Sequence, residues 1–555
     1  MSRTKARFTA LLSLTAVLSL GLAACGGNSS SDSSSSSTSS KSTKQVLNIT
    51  EKDTIPTMDS TMNEDIVSST VMDQVFEGLL RLDKNDQPAP GIAKEMPKTN
   101  KAQTVYTFKL RDAKWSNGDP VTANDFVYAW RKAIDPKQAS PYGPYLMDGV
   151  IKNATAITNK KMKPDQLGIK ALDDKTVQVT LEKATPYFET LITSSTFLPQ
   201  NQKYVESKGK DYATSSDNLI YDGPFVLTKW NGTSDSWTYK KNNSYWDAKS
   251  VKLSQINVNV VKDASTGVNL YNTGKLDRTL LNGEQALQMK SKSDYTTYLS
   301  PSTFYLDFNQ KNSALSNVNI RKALSLAFDK KGITDSIVAD GAIPLDGFIP
   351  ANFVKDPKTG KDFRAENGKL NAYNKAEAQK YWKKGLKEIG KSSLTLRYLG
   401  DDTDVAKKLG EYMQNQLQTN LPGLKLQVSQ VPFKIRLERW DKGDYDIVMS
   451  GWNPDYTDPY TFMSLFLSDS PENHSSYASK EYDKLINDAE TTLATDPEKR
   501  WAAIQKAEKL LVQQDAAVAP VFQKGWAFLQ QPYVKGVVKN ASGTDFTYKW
   551  AYIQK

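Results

Sequence analysis

Short runs in which apolar and polar residues alternate recur along this chain, separated by stretches with a helical repeat. Alternation marks 105–110 (VYTFKL), 177–181 (VQVTL), 256–261 (INVNVV), 394–399 (LTLRYL) and 445–450 (YDIVMS). Each is rich in β-branched or aromatic residues, which predicts strands. Helical spacing marks 318–328 and 375–389, and most clearly 497–513. There Asp496 is a good N-cap, Pro497 suits a first turn, and Trp501, Ile504 and Leu511 keep one face apolar. Strands and helices mixed in this way predict an α/β fold with several parallel-type units. No repeat of fixed period runs through the chain.

The pattern breaks down at the N-terminus. Arg3, Lys5 and Arg7 precede an uncharged run from Phe8 to Leu22, which ends in Ala23, Ala24 and Cys25. Basic, then apolar, then small residues make a secretory signal, with an apolar part too short for a comfortable membrane span. A cysteine at the cleavage boundary resembles a bacterial lipobox, which implies removal of 1–24 and a diacylglyceryl group on the Cys25 sulfur. The plainer reading is an ordinary leader with an incidental cysteine. Residues 26–44 (GGNSSSDSSSSSTSSKSTK) hold no large apolar side chain. Such a segment cannot bury enough surface to offset its conformational entropy, so 25–44 reads as a flexible tether. Two acyl chains, at about 0.8 kcal/mol per buried methylene, would hold the protein stably on a membrane. The expected location is the outer side of a cell membrane, in a Gram-positive type of envelope.

Composition narrows the chemistry of the roughly 510 residues that follow, enough for two to four structural domains. With 39% hydrophobic and 10% aromatic residues, this part can build real cores. Tyr (26) and Trp (11) are plentiful beside 19 Phe, as suits clefts that are both apolar and hydrogen-bonding, although most of them fill cores. The net charge is +10, three less once Arg3, Lys5 and Arg7 are removed. Lysines are interleaved with Asp and Glu rather than gathered into a stripe, so no nucleic-acid partner is expected. The chain has one cysteine and one histidine, His474, which reads as an exposed loop residue. A Ser-His-Asp or Cys-His centre would have to be built on His474, and no GxSxG elbow, GxxxxGK[ST] loop or GxGxxG turn is present. Zinc, copper and nickel sites usually need several His or Cys ligands. The chain therefore reads as a binder without metal or cofactor and not as an enzyme.

Two blocks carry more detail. Residues 106–130 (YTFKLRDAKWSNGDPVTANDFVYAW) read as a strand, a turn at 116–120, and a helix capped near Thr122 with Phe126 and Trp130 on one face. That is scaffold. In 445–458 (YDIVMSGWNPDYTD), a buried-type strand of Ile447, Val448 and Met449 opens into an irregular aromatic segment. An Asp between aromatics at a strand end is where an α/β fold places a ligand. On the residues alone, Asp455 beside Pro454 equally reads as a turn residue.

These two blocks resemble the peptide-binding proteins of ABC importers, the extracytoplasmic solute-binding family with oligopeptide-, dipeptide- and nickel-binding members. So do 75–83 (VFEGLLRLD) with 90–93 (PGIA), 168–188, and 223–225 (GPF) with Tyr245 and Trp246. Phe308 and Asn309 leading to 318–324, and Tyr477 with 482–485, extend the likeness to the C-terminal part. The ordered blocks cover the chain from about 45 to 555, and the oligopeptide binders match best. The resemblance implies a periplasmic-binding-protein-like α/β body of two lobes closing on a cleft, with an additional inserted domain. Its parts would be a discontinuous lobe of 45–77, 201–303 and 523–555, an insert of 78–200, and a second lobe of 304–522, hinged near 301–305 and 521–523.

The resemblance also implies roles. Asp455 would pair with a peptide's α-ammonium, and backbone groups of Gly451 and Asn453 with its main chain. Trp452 would line a side-chain pocket or simply fill core. Glu64, Tyr142 and Asn282 match ligand-proximal positions. Some members carry an arginine before the GW segment that meets a peptide's carboxylate; here Met449 stands there, with Arg439 and Lys442 upstream to compensate. The implied function is a monomeric, membrane-anchored receptor that captures oligopeptides and delivers them to an ABC permease and its ATPase. Within the family the alternatives are a dipeptide, a pheromone peptide or nickel, the last disfavoured by the lone histidine. From another class the rival is a lipid-anchored hydrolase, which needs a carboxylate pair that the sequence does not identify.

Overall fold

The computed structural model describes residues 44–555 other than 52 and 471. The signal segment 1–24, Cys25 and the tether up to residue 43 lie outside the described residues. The alternating runs form strands as expected: Val105–Lys109, Thr176–Thr180, Gln255–Val260, Leu394–Asp401 and Ile447–Trp452. The helical runs form Val318–Leu326, Lys375–Glu388 and Pro497–Lys509, the last capped by Asp496 accepting from the Lys499 amide.

One large sheet organises the body. Its strands lie in the order 424–431, 394–401, 447–452, 295–308, 518–530, 278–281, 46–51, 255–260, 236–241, 225–228. The sheet contains parallel pairs, as an α/β fold with parallel-type units requires. Val46–Glu51 runs beside Gln255–Val260 in unbroken register, and Leu394–Asp401 beside Leu424–Val431. At the centre, Tyr295–Phe308 and Val518–Gln530 pair antiparallel, and they are the long strands that join the two halves of the sheet. Their register slips between Leu299 and Thr303 and again at Phe304/Tyr305. Pro301, with no N–H to give to the ladder, sits in the first slip. Gln523 spans the irregularity, donating to the carbonyls of Ser300 at 2.9 Å and Ala351 at 3.0 Å.

Within 78–200 the strands pair differently. Lys98–Thr99, Val105–Lys109, Thr176–Thr180 and Ile169–Asp173 form a four-stranded sheet that is antiparallel throughout. Val105–Lys109 is buried on one face only, which an antiparallel sheet allows. Helix Ala123–Ile134 covers this sheet's apolar side, with Thr122 and Asp125 forming a capping box and Phe126 and Trp130 fully buried. The core of this segment is continuous with that of residues 47–76 and 213–258. Residues 306–522 pack around separate apolar cores.

Candidate functional site

Strand Ile447–Trp452 leads to the site. Ile447, Val448 and Met449 are buried, and the strand pairs antiparallel with 303–308 along its whole length. Its other edge pairs with Leu394–Asp401 only at Ile447 and Val448. From Met449 to Trp452 that edge has no strand partner, and it faces a cavity of about 640 Å³ lined by Phe304, Met449, Ser450, Gly451, Trp452 and Phe522. The rings of Phe304 and Phe522 stack at 4.8 Å. Gly451 allows the close approach, since a Cβ there would meet the Phe304 ring at 2.9 Å.

Beyond Trp452 the chain turns through Asn453 and Pro454 to Asp455. Asn453 is fixed by the Ser302 hydroxyl, which donates to its Oδ1 and so ties the loop to the first central strand. Asp455 is fixed at both ends of its residue. Its amide donates to Thr461 Oγ1 at 3.3 Å, and its Oδ2 accepts from Tyr145 OH at 2.8 Å and from Thr461 Oγ1 at 3.4 Å. Burial nevertheless pushes its carboxyl up to about 6. Thr461 belongs to the short helix Tyr460–Met463, whose start is capped by Asp458. Asp458 is held in turn by both terminal nitrogens of buried Arg500 at 2.8 Å, and Arg500 also donates to Glu490 at 2.9 Å.

Asp455 lines a second cavity of about 540 Å³ together with Glu64, Tyr142, Tyr145, Trp452 and Asn453. Tyr142 and Tyr145 meet edge to face at 5.3 Å on one helical turn. Burial pushes the Tyr142 phenol up to about 12, helped by Asp455 and Glu64. The two cavities adjoin, sharing Ile66, Trp452, Asn453 and Glu472 in their walls. Six positions singled out in the sequence, Glu64, Tyr142, Gly451, Trp452, Asn453 and Asp455, therefore line one composite cleft. The Trp452 indole is half-buried, and its N–H has no hydrogen-bond partner among the described residues.

Other positions lie elsewhere. Asn282 caps helix Gly283–Met289 by accepting from the Gln285 amide, and it lines a separate cavity of about 150 Å³. Arg439 is taken up by Asp444 and Ser429, and neither it nor Lys442 lines the cleft. His474 is not the exposed loop residue expected. Its side chain is only 14% exposed because the ring lies on Trp440 at 4.1 Å. Tyr145, Glu472 and Arg436 were missed. For Tyr145 the signal was available, three positions after Tyr142 in the same SPYGPY segment.

Among the described residues no helix is long and apolar enough to cross a membrane. The model of the bacterial extracellular solute-binding proteins, family 5 (middle part), matches residues 87–474. A dipeptide-binding protein of Lactococcus lactis subsp. cremoris (strain MG1363) is 35% identical over 566 residues, covering 99% of this chain and all of the relative. The structure of Listeria monocytogenes OppA bound to peptide superposes with a TM-score of 0.76 at 48% identity, over 93% of this chain and all of that one. The substrate-binding domain of an oligopeptide ABC transporter from Bacillus anthracis str. Ames gives 0.76 at 41% identity, over 92% of this chain and 99% of its own.

Proposed function

This chain belongs to the bacterial extracellular solute-binding proteins of family 5, and on that premise we propose that it captures oligopeptides and delivers them to an ABC-type importer. One observation carries the reading: an open strand edge, 449–452, faces one cavity and leads directly to a carboxylate in the next. An extended peptide adds to such an edge by main-chain hydrogen bonds, which gives affinity without reading side chains. Its α-ammonium then reaches Asp455, where a partly desolvated carboxylate favours a charged partner with good geometry. Trp452 forms a wall common to both cavities, and Glu64 and Tyr142 close the amino end.

The cleft leaves its ligand chemically unchanged, and binding shifts the population toward the closed form because both lobes touch the peptide. The body works as a discontinuous first lobe, the insert 78–200 and the second lobe 304–522, bending where the two central strands lose register. Cys25 carries the lipid that keeps this monomer on the outer face of the membrane, and the closed form docks on a permease driven by an ATPase. Micromolar affinity, about −8 kcal/mol, is enough for capture and still permits release.

Two combined cavities of about 640 and 540 Å³ favour an oligopeptide, while the 35% identical Lactococcus relative keeps a dipeptide as the second reading. Native mass spectrometry of the purified protein, followed by calorimetry with di-, tri-, tetra- and pentapeptides, separates them. Co-purified peptides and tightest binding above two residues are expected. Peptide turnover, or no binding of any peptide, would remove the proposal.

A further inference from the structure

The other half of the large sheet has a crevice of its own. Strand Val46–Glu51 runs parallel to Gln255–Val260 on one side and to Arg278–Leu281 on the other. The carboxyl ends of all three meet at the cavity of about 150 Å³, whose wall takes in Thr50, Glu51, Val261, Leu281 and Asn282. Such ends are where α/β sheets receive small ligands. Trp526 and Asp545 are common to this cavity and the 640 Å³ one, so it is a separate compartment beside the peptide cleft, away from the open edge 449–452.

One group in its wall lacks a counterpart. Arg278 is only 3% exposed. Its Nη1 donates to Tyr548 OH at 3.3 Å, while Nε and Nη2 have no hydrogen-bond partner among the described residues. The guanidinium lies over the rings of Phe528 at 3.6 Å and Phe546 at 4.1 Å. Ring faces offset part of the charge. They leave open the planar fork of donors, which matches a carboxylate. Helix Ala264–Asn272 begins in the same wall, and Asp263 caps it by accepting from the Thr266 amide. The amide of Ala264 stays outside the helical ladder, as first-turn amides do. Carboxylates line the cavity too: Glu51, and Asp545, which accepts from Lys539 at 3.3 Å. An inorganic anion drawn to Arg278 is repelled by these two, whereas a molecule carrying both signs suits all three.

We propose that this cavity binds a free α-amino acid, with its carboxylate on Arg278 and its ammonium toward Glu51 and Asp545. The volume sets the size. A cavity of 150 Å³ takes about six to eight non-hydrogen atoms, the span from alanine to valine. Leu280 and Phe528 give the wall an apolar part for the side chain. Even the smallest dipeptides exceed that volume, so the site is filled independently of the peptide cleft.

The test is calorimetry with L-valine on the full chain saturated with an alanine–leucine tetrapeptide, which on the peptide-capture reading fills the cleft. One site for valine should remain. Isovalerate, which lacks the ammonium, and isobutylamine, which lacks the carboxylate, should each bind at least roughly tenfold more weakly. R278M should lose valine binding and keep the tetrapeptide. Because Arg278 is buried, A264M serves as a second variant: Ala264 is half-buried at the first position of its helix, and a longer side chain there fills the cavity from its rim. It should abolish valine binding and leave the sheet intact, and D455N should bind valine like the parent. Valine displaced by the tetrapeptide, or lost in D455N, would place it in the cleft and overturn the inference. Equal binding of valine and both analogues, or no binding of valine at all, overturns it as well. None of these results touches peptide capture, which falls only if no peptide binds. In that event valine binding removed by A264M and spared by D455N still upholds the separate site.

Discussion

The phenol of Tyr145, on helix Tyr142–Met147, donates a 2.8 Å hydrogen bond to Oδ2 of Asp455, just beyond strand Ile447–Trp452. The carboxylate proposed to greet the peptide thus already has a neutral partner from across the cleft. Tyr145 is about half exposed, so this contact is open to water and to exchange. An incoming ammonium supplies the charge that the phenol lacks. It also gives Asp455 a reason to be ionised despite burial.

Asp455→Asn keeps the shape and removes the charge. Peptides with a free amino terminus should lose roughly tenfold to a hundredfold in affinity, the worth of a charge-assisted bond. N-acetylated peptides should bind the variant and the parent equally. Calorimetry on both peptide forms measures this, and an unchanged preference for free amino ends would show that Asp455 is a turn residue after all.

Affinity should also fall on acidification. Burial raises the Asp455 carboxyl from an ordinary 3.8 to about 6, so below pH 6 the free protein increasingly carries a neutral acid. Binding that requires the ionised form then weakens about tenfold per pH unit. The folded chain holds this proton more tightly than the unfolded one, so the same group adds stability as pH falls from about 6 toward 4. Affinity and this contribution to stability therefore move in opposite directions. Asp455→Asn should remove the affinity slope, and a profile flat from pH 7 to 5 in the parent would contradict the assignment.

How far the sequence reached depends on whether a feature is local. Alternation in 105–109 and 176–180, and the Thr122 and Asp496 caps, are written in neighbouring residues and were readable. The antiparallel pairing within 78–200 was not legible, because the same alternation marks Leu394–Asp401 and Leu424–Val431, which pair parallel. The central strands Tyr295–Phe308 and Val518–Gln530 were harder, because Pro301 and Pro520 interrupt them with residues that normally end strands. Tyr145 and Arg436 belong to the cleft only through contacts to Asp455, 310 positions away, and to Asp401 and Ser450 on other strands. No periodicity reports such meetings.

The loop that presents Asp455 should depend on Arg500. This residue holds Asp458 and Glu490 together, with side chains 9%, 11% and 2% exposed. Arg500→Met would leave two buried carboxylates facing each other without a cation, at a cost of about 3–5 kcal/mol. Urea denaturation should register that loss, and peptide affinity should fall because Asp458 caps the turn that carries Thr461. A loss below about 1 kcal/mol would mean that the loop is held by its other contacts.

Tyr187 is the place to test closure separately from recognition. Its ring stacks on Tyr456 at 4.2 Å and 9°, and on Tyr460 at 5.8 Å and 12°. On the proposed lobe division the stack joins the two lobes, and neither Tyr187 nor Tyr456 lines the two cavities. The two aromatic pairs together contribute about 1–3 kcal/mol, so Tyr187→Ala should lower the closed-to-open ratio of the free protein by roughly fivefold to a hundredfold. Apparent affinity scales with the fraction competent to bind, so every peptide should weaken by the same factor. The loss should be indifferent to N-acetylation, unlike the loss expected at Asp455. Small-angle scattering of the free variant should show a larger radius of gyration, and Tyr187→Phe, which keeps the ring, should restore both readouts. An alanine variant with unchanged radius and affinity would show that the stack packs the two surfaces without governing how often they meet.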